Sequence, residues 1–155
     1  MKKISQKELD NLIKIRIDSL KDLSNGKSDL PKEDQEETDF LLAKLLHATL
    51  TNARMSGADL GRARLIGSNL SGADLSKADL MGANLCNANL SKTNLSEARL
   101  IFSFLMGANL SEANLDNTDL REAKYDQKTI WPDGFDPVEA GAIFYKRASK
   151  LEASS

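Results

Sequence analysis

From residue 48 onward the chain reads in fives. A large side chain stands at 50, 55, 60 and every fifth position to 125; of these sixteen, fourteen are leucine and the others are Met55 and Tyr125. Two residues before each stands a small side chain, mostly Ala, with Ser68, Thr93, Ser103 and Thr118 as the substitutes. The residue between is often Asp or Asn, and the two that follow are often Ser, Gly, Lys or Asn. An α-helix cannot use this period: five residues advance about 500°, so successive leucines land roughly 140° apart and spread over the whole cylinder. One long strand fails as well, because an odd period sends alternate leucines to opposite faces. What works is local. The small residue and the leucine point inward from a short extended segment, the residue between them points outward, and the next two turn a corner.

A slower rhythm sets the number of corners. The residue just after each centre is Gly61, Met81 and Ile101 on one series, Ile66, Cys86 and Met106 on the next, then serine at 56, 76 and 96 and Thr51, Ser71, Ser91 and Ser111 on the others. Outward chemistry therefore repeats every twenty residues, or four units. This predicts an all-β solenoid, a quadrilateral β-helix of about four coils and about 19 Å tall at strand spacing. Its open ends need covers.

The flanks supply candidates. Residues 5–23 predict a helix, opened by a Ser5/Glu8 capping box, with Leu9, Leu12, Ile13, Ile17 and Leu20 at helical spacing and Asn25-Gly26 as its stop. A second helix is expected after Pro31, running to about Leu46. Residues 38–47 also fit the five-residue register, but as a coil they would leave Leu41, Leu42 and Leu46 outside the column. At the other end the register fails at Lys128, which occupies a small-residue slot. The segment Trp131-Pro132-Asp133-Gly134-Phe135-Asp136-Pro137 reads as a plug over the last coil, and 137–150 as a short final helix. The expected division is an N-terminal helical cap over 1–47, repeats over 48–127, and a C-terminal cap and tail over 128–155.

Composition narrows the chemistry. Net charge is −2 over 155 residues, which provides no strong field towards nucleic acid or membrane. Met1-Lys2-Lys3 is followed by Ser5, Gln6, Lys7 and Glu8 instead of an apolar stretch, and no run approaches 18 apolar residues, so a cytoplasmic location is the expectation. The first helix, with six basic and four acidic groups over 2–23, reads as a cap rather than a membrane-surface anchor. His47 is the single histidine and reads as an ordinary surface or partly buried side chain. Cys86 is the single cysteine and reads as a bystander thiol. No phosphate loop, zinc spacing or nucleotide fingerprint occurs. The chain is expected to be no enzyme and to use no cofactor, no metal and no small-molecule substrate.

What remains is an outward apolar set, Ile66, Met81, Ile101, Phe102, Phe104 and Met106, which the twenty-residue stacking gathers on adjacent faces. Contiguous exposed apolar surface marks contacts. The expected role is a protein-interaction or structural scaffold that engages an unidentified protein partner or a second copy, with no direct nucleic-acid or membrane contact. A terminal helix lying over the set is the competing explanation.

Tandem Ala-Asp/Asn-Leu-Ser-Xaa over about residues 48 to 127 resembles the pentapeptide repeat family, and the Trp131–Pro137 segment is similar to one that follows the repeats in bacterial, notably cyanobacterial, members. The resemblance implies a right-handed coil. It also implies an alternative role, because some members mimic duplex DNA and bind type II topoisomerase. That mimicry needs a strongly acidic surface, and residues 48–127 hold nine acidic side chains (six Asp and three Glu) against eight basic ones.

Overall fold

The computed structural model describes residues 2–9, 11 and 45–146. Successive coils are joined by parallel bridges between residues twenty apart, on all four walls. Asn69 bridges Asn89, which in turn bridges Asn109; Asp74 bridges Asn94, Asp79 bridges Arg99, and Asn84 bridges Phe104. We number the walls by their inward leucines. Wall 1 carries Leu50, Leu70, Leu90 and Leu110; wall 2 carries Met55, Leu75, Leu95 and Leu115. Wall 3 carries Leu60, Leu80, Leu100 and Leu120; wall 4 carries Leu65, Leu85, Leu105 and Tyr125.

One unit shows how the sequence makes a wall. Asn94 donates its N–H to Ala73 O (2.9 Å) and accepts from Leu75 N (2.8 Å) on the coil before, while Lys77 N at the corner reaches Ser96 O (2.9 Å). Ala78 N closes the corner on Leu75 O at 3.0 Å. The Asp or Asn before the leucine also starts the corner. Asp74 Oδ1 accepts from Ser76 N (3.1 Å) and Ser76 Oγ (2.7 Å), which forms an Asx turn. The same side-chain-to-corner bond recurs at Asn69, Asp79, Asn84, Asn89, Asn94, Asn109, Asn114 and Asp119. The second corner residue is left-handed in every unit from His47 to Glu122, with φ between 53° and 69°. Hence Gly, Asn and flexible polar residues suit that slot.

The leucines from Leu65 to Leu110 are fully buried, with Ala, Ser or Thr between them. Polar substitutes in the small slot are satisfied by the backbone. Ser68 Oγ donates to Leu65 O (2.7 Å), Thr93 Oγ1 to Leu70 O (3.0 Å) and Thr118 Oγ1 to Leu95 O (2.8 Å). Ser103 is the exception: its buried hydroxyl has no partner.

The N-terminus closes one end. Strand β1 (Lys2–Lys3) pairs in parallel with β2 (Ala48–Thr49), and Ile4 is buried beyond them. The Gln6 side-chain amide then pairs with both backbone groups of Arg54, donating to its O and accepting from its N at 3.0 Å each, so one side chain stands in for a strand on wall 2. Ser5 caps the helical turn at 6–9, its Oγ accepting from Glu8 N (3.2 Å), and Leu9 is buried against the column. The rest of the first helix lies outside the described residues. So does the second as far as residue 44, but its expected last residues are corrected. Leu45 fills an inward slot of wall 4, 45–47 turn a corner, and His47 N donates to Ile66 O (3.0 Å). Leu46 is not stranded in solvent; it is half-buried at the base of the row that continues through Ile66, Cys86 and Met106.

At the far end the register is shifted rather than lost. One extra residue moves Thr129 into the small slot, where its Oγ1 donates to Leu105 O (2.9 Å), and Ile130 bridges Asn109. Trp131 and Phe135 pack against the core, stacked on each other at 5.3 Å, and Trp131 meets the Tyr125 ring edge-on at 5.5 Å. The expected plug is therefore present. The helix expected over 137–150 is not formed in its described part. Residues 137–141 are turns, and β4 (Ile143–Phe144) pairs in parallel with β3 (Lys124–Tyr125). Ladder bonds from Ile143 N to Ala123 O and Tyr145 N to Tyr125 O, both 2.7 Å, override helical propensity there.

Candidate interaction surface

The apolar outward residues converge on wall 4 and the corners at either side of it. Met81, Ile101 and Phe102 occupy the corner where wall 3 turns into wall 4, Phe104 stands on the wall itself, and Ile66, Cys86 and Met106 line the following corner. Met81 is 39% exposed and Phe102 56%, while Ile66, Ile101, Phe104 and Met106 are half-buried. Ile143, Phe144 and Tyr145 are exposed at the C-terminal end of the same wall, an extension that depends on β4 and has no counterpart in the five-residue pattern.

The unit Ile101-Phe102-Ser103-Phe104-Leu105 departs from the local rules at its three central positions. Phe102 holds the left-handed slot, with φ 58°. Phe104 replaces the Asp or Asn that starts a corner. Ser103 carries the orphan hydroxyl. The Lys124 ammonium lies over the Phe104 ring, 5.5 Å from its centroid.

Nearby polar groups are held rather than poised. Burial works against ionisation of Asp126, but hydrogen bonds from Gly107 N (2.9 Å), Lys128 N (3.0 Å) and Thr129 Oγ1 outweigh it and hold its carboxyl below the usual range. Burial pushes the Cys86 thiol up, which disfavours the thiolate. A surface pocket of about 310 Å³ lies between Cys86, Asn87, Met106, Asp126, Lys128 and Tyr145. His47 is exposed, its ring lying over Gly67, where a Cβ would come within 2.5 Å of His47 Nδ1. Among the described residues no three His, Cys, Asp or Glu side chains gather as metal ligands, and no helix is long and apolar enough to cross a membrane.

Comparison with known proteins gives a consistent outcome. The family model for pentapeptide repeats matches eight copies, over residues 43–80, 78–105 and 88–124. A pentapeptide repeat protein from Nostoc PCC 7120, alr5209, is 35% identical over 69% of this chain and 92% of its own, with a TM-score of 0.36. Rfr23 from the cyanobacterium Cyanothece 51142 is 37% identical over 56% of this chain and 62% of its own, with a TM-score of 0.34. QnrB1, a plasmid-mediated fluoroquinolone resistance protein, is 18% identical over 64% of each chain, with a TM-score of 0.28. No curated protein matches significantly. Pentapeptide repeat proteins fold as right-handed quadrilateral β-helices. The tandem five-residue units and the family match across more than half the sequence agree: this chain belongs to the pentapeptide repeat family.

Proposed function

We propose that the protein is a non-enzymatic interaction scaffold, a stiff column that presents wall 4 and its corners to a protein partner. The observation that carries this reading is the unit 101–105. Placing Phe in a left-handed corner costs about 1–2 kcal/mol relative to glycine, and an aromatic ring in the Asx slot forgoes the turn-starting bond. Local rules broken together on one exposed surface are the mark of a working site rather than of a stability device. The stacking also makes Met81, Ile101, Phe102, Phe104 and Met106 near neighbours, which supports one patch over scattered apolar residues.

The test replaces Phe102 and Phe104 with Asn, the residue that suits both slots. The variant is expected to fold with an unchanged circular dichroism spectrum and to lose partners that wild-type protein retains in paired pull-downs. A folded variant that keeps every contact refutes the reading. The alternative, mimicry of DNA towards type II topoisomerase, draws little support from the charge pattern. Acidic side chains are neutralised across coils by Lys77–Glu97 (3.8 Å), Lys92–Glu112 (3.8 Å) and Arg99–Asp79 (2.9 Å), so no anionic rail runs along the column. No effect on a supercoiling assay is the expected result.

A further inference from the structure

Charge is distributed unevenly round the column, and this points to the kind of partner. Wall 4 with its two corners comprises residues 61–67, 81–87, 101–107 and 121–127 of successive coils. The two middle stretches, Met-Gly-Ala-Asn-Leu-Cys-Asn and Ile-Phe-Ser-Phe-Leu-Met-Gly, hold no charge at all. The first holds Arg62 and Arg64. The last holds Arg121, Glu122, Lys124 and Asp126. Arg121 is engaged by Asp119 of wall 3 (2.6 Å), and Asp126 is held by Gly107 and Lys128 N–H groups. Arg62 and Arg64 are exposed and Lys124 half-buried, and none forms an ion pair among the described residues; the opposing charges on this side are Glu122 and the Asp126 carboxylate. The rest of residues 48–127 carries four basic and seven acidic side chains, so the apolar band is the one side with a basic surplus.

We infer that wall 4 binds an acidic amphipathic helix, with apolar anchors over the uncharged band and carboxylates at its two ends. This rests on the reading of wall 4 as an interface. The spacing fits such an occupant. Apolar rows climb at about 4.8 Å per coil, while a helix laid along the column repeats its anchors about every 5.4 Å. Over three coil steps the mismatch is only about 2 Å. The Arg62/Arg64 end and the Lys124 end are then about 14 Å apart, roughly ten residues of helix. Gly82, between Arg62 and Phe102, puts no side chain of its own on one corner, whereas on the other the His47 ring lies over Gly67 and the Asn87 amide over Gly107. Carboxylates over arginines add electrostatic attraction, and Phe102 with Met81 supplies the dry centre.

The probes are two synthetic 18-residue helical peptides sharing one leucine stripe (i, i+3, i+4, i+7). One carries glutamates at both ends of the stripe, the other lysines, and each is titrated into the full chain by fluorescence anisotropy. The glutamate peptide is expected to bind about tenfold more tightly than the lysine peptide, with affinity that falls as salt rises. Arg64→Glu/Lys124→Glu is expected to reverse that order. Wild-type protein that does not discriminate between the peptides, or a reversal variant that keeps the wild-type order, overturns the acidic-helix inference. If Phe102→Asn/Phe104→Asn still abolishes binding in that case, the interface itself stands; if it does not, both readings fall. Stronger retention by phosphatidylglycerol vesicles than by the glutamate peptide assigns the face to a lipid surface and overturns the inference. So does a dimer in sedimentation that Phe102→Asn dissolves, which assigns it to a second copy.

Discussion

Ser103 and Ser68 occupy the same slot of the unit, are equally buried, and should answer opposite ways to one substitution. Ser68 Oγ donates to Leu65 O at 2.7 Å, whereas the buried Ser103 Oγ has no partner. A buried hydroxyl without a hydrogen bond costs about 1–3 kcal/mol, while a satisfied one contributes about 1 kcal/mol net. Ala already fills this slot at 63, 83 and 123 on the same wall, so the wall accepts a methyl group there. Ser103→Ala should therefore stabilise the column by about 1 kcal/mol, reduced slightly by the void left by the oxygen. Ser68→Ala should destabilise it by about 1 kcal/mol. Urea unfolding at 25 °C, followed by circular dichroism, reads both, and equal slopes confirm that only stability has changed. If Ser103→Ala destabilises the protein as much as Ser68→Ala, unit 101–105 carries no strain in this slot. Its departure from the repeat then no longer calls for a functional reason there.

Truncating the buried Leu85 to Ala should cost about 2–5 kcal/mol, because ladders above and below hold the walls open; at the half-buried Leu115 the same change should cost about half as much, read by the same denaturation. Gly57→Ala should cost about 1 kcal/mol, as φ is +68° although nothing lies within 4 Å of the new Cβ, and a Tm unchanged by it would contradict the left-handed corner. Asp126 offers a pH signature. Its depressed pKa stabilises the fold above the ordinary value of 3.8, and that contribution disappears as the pH falls through the lower folded value. Asp126→Asn should therefore be less stable than wild type at pH 7 and indistinguishable from it well below pH 3.8; a gap that persists in acid would mean the loss is not ionic.

The period of five is sufficient to read the column because each element of the unit has one local cause. Leucine fills the axis, a small residue lets the walls approach, and Asp or Asn starts the corner. The slower rhythm of twenty is sufficient to gather Met81, Ile101, Phe104 and Met106 on one side. What is not legible depends on pairs far apart in sequence. The Gln6 amide finds Arg54 across 48 positions, and nothing in Ser5-Gln6-Lys7 announces a side chain that substitutes for a strand. Leu46 reads as wasted in a corner, yet it starts an apolar row that the repeat itself builds. The helix expected after Pro137 yields to ladder bonds that form only once β3 offers an open edge.

These differences and the candidate surface have a common origin. A repeat coil is stabilised mainly by the coils directly before and after it, so any unit can leave the pattern with a penalty that stays local. Unit 101–105 uses this freedom in the third coil, where Leu85 and Tyr125 lie on either side of Leu105 and absorb the strain of Phe102 and the orphan Ser103 hydroxyl. At a terminal coil the same departures would have had one supporting neighbour instead of two. Phe102 and Phe104 thus stand where the column best tolerates an irregular unit, and the two coils they share with Met81 and Met106 are the ones without charge on that side. The regular units make the support stiff, and the irregular unit is where recognition is placed.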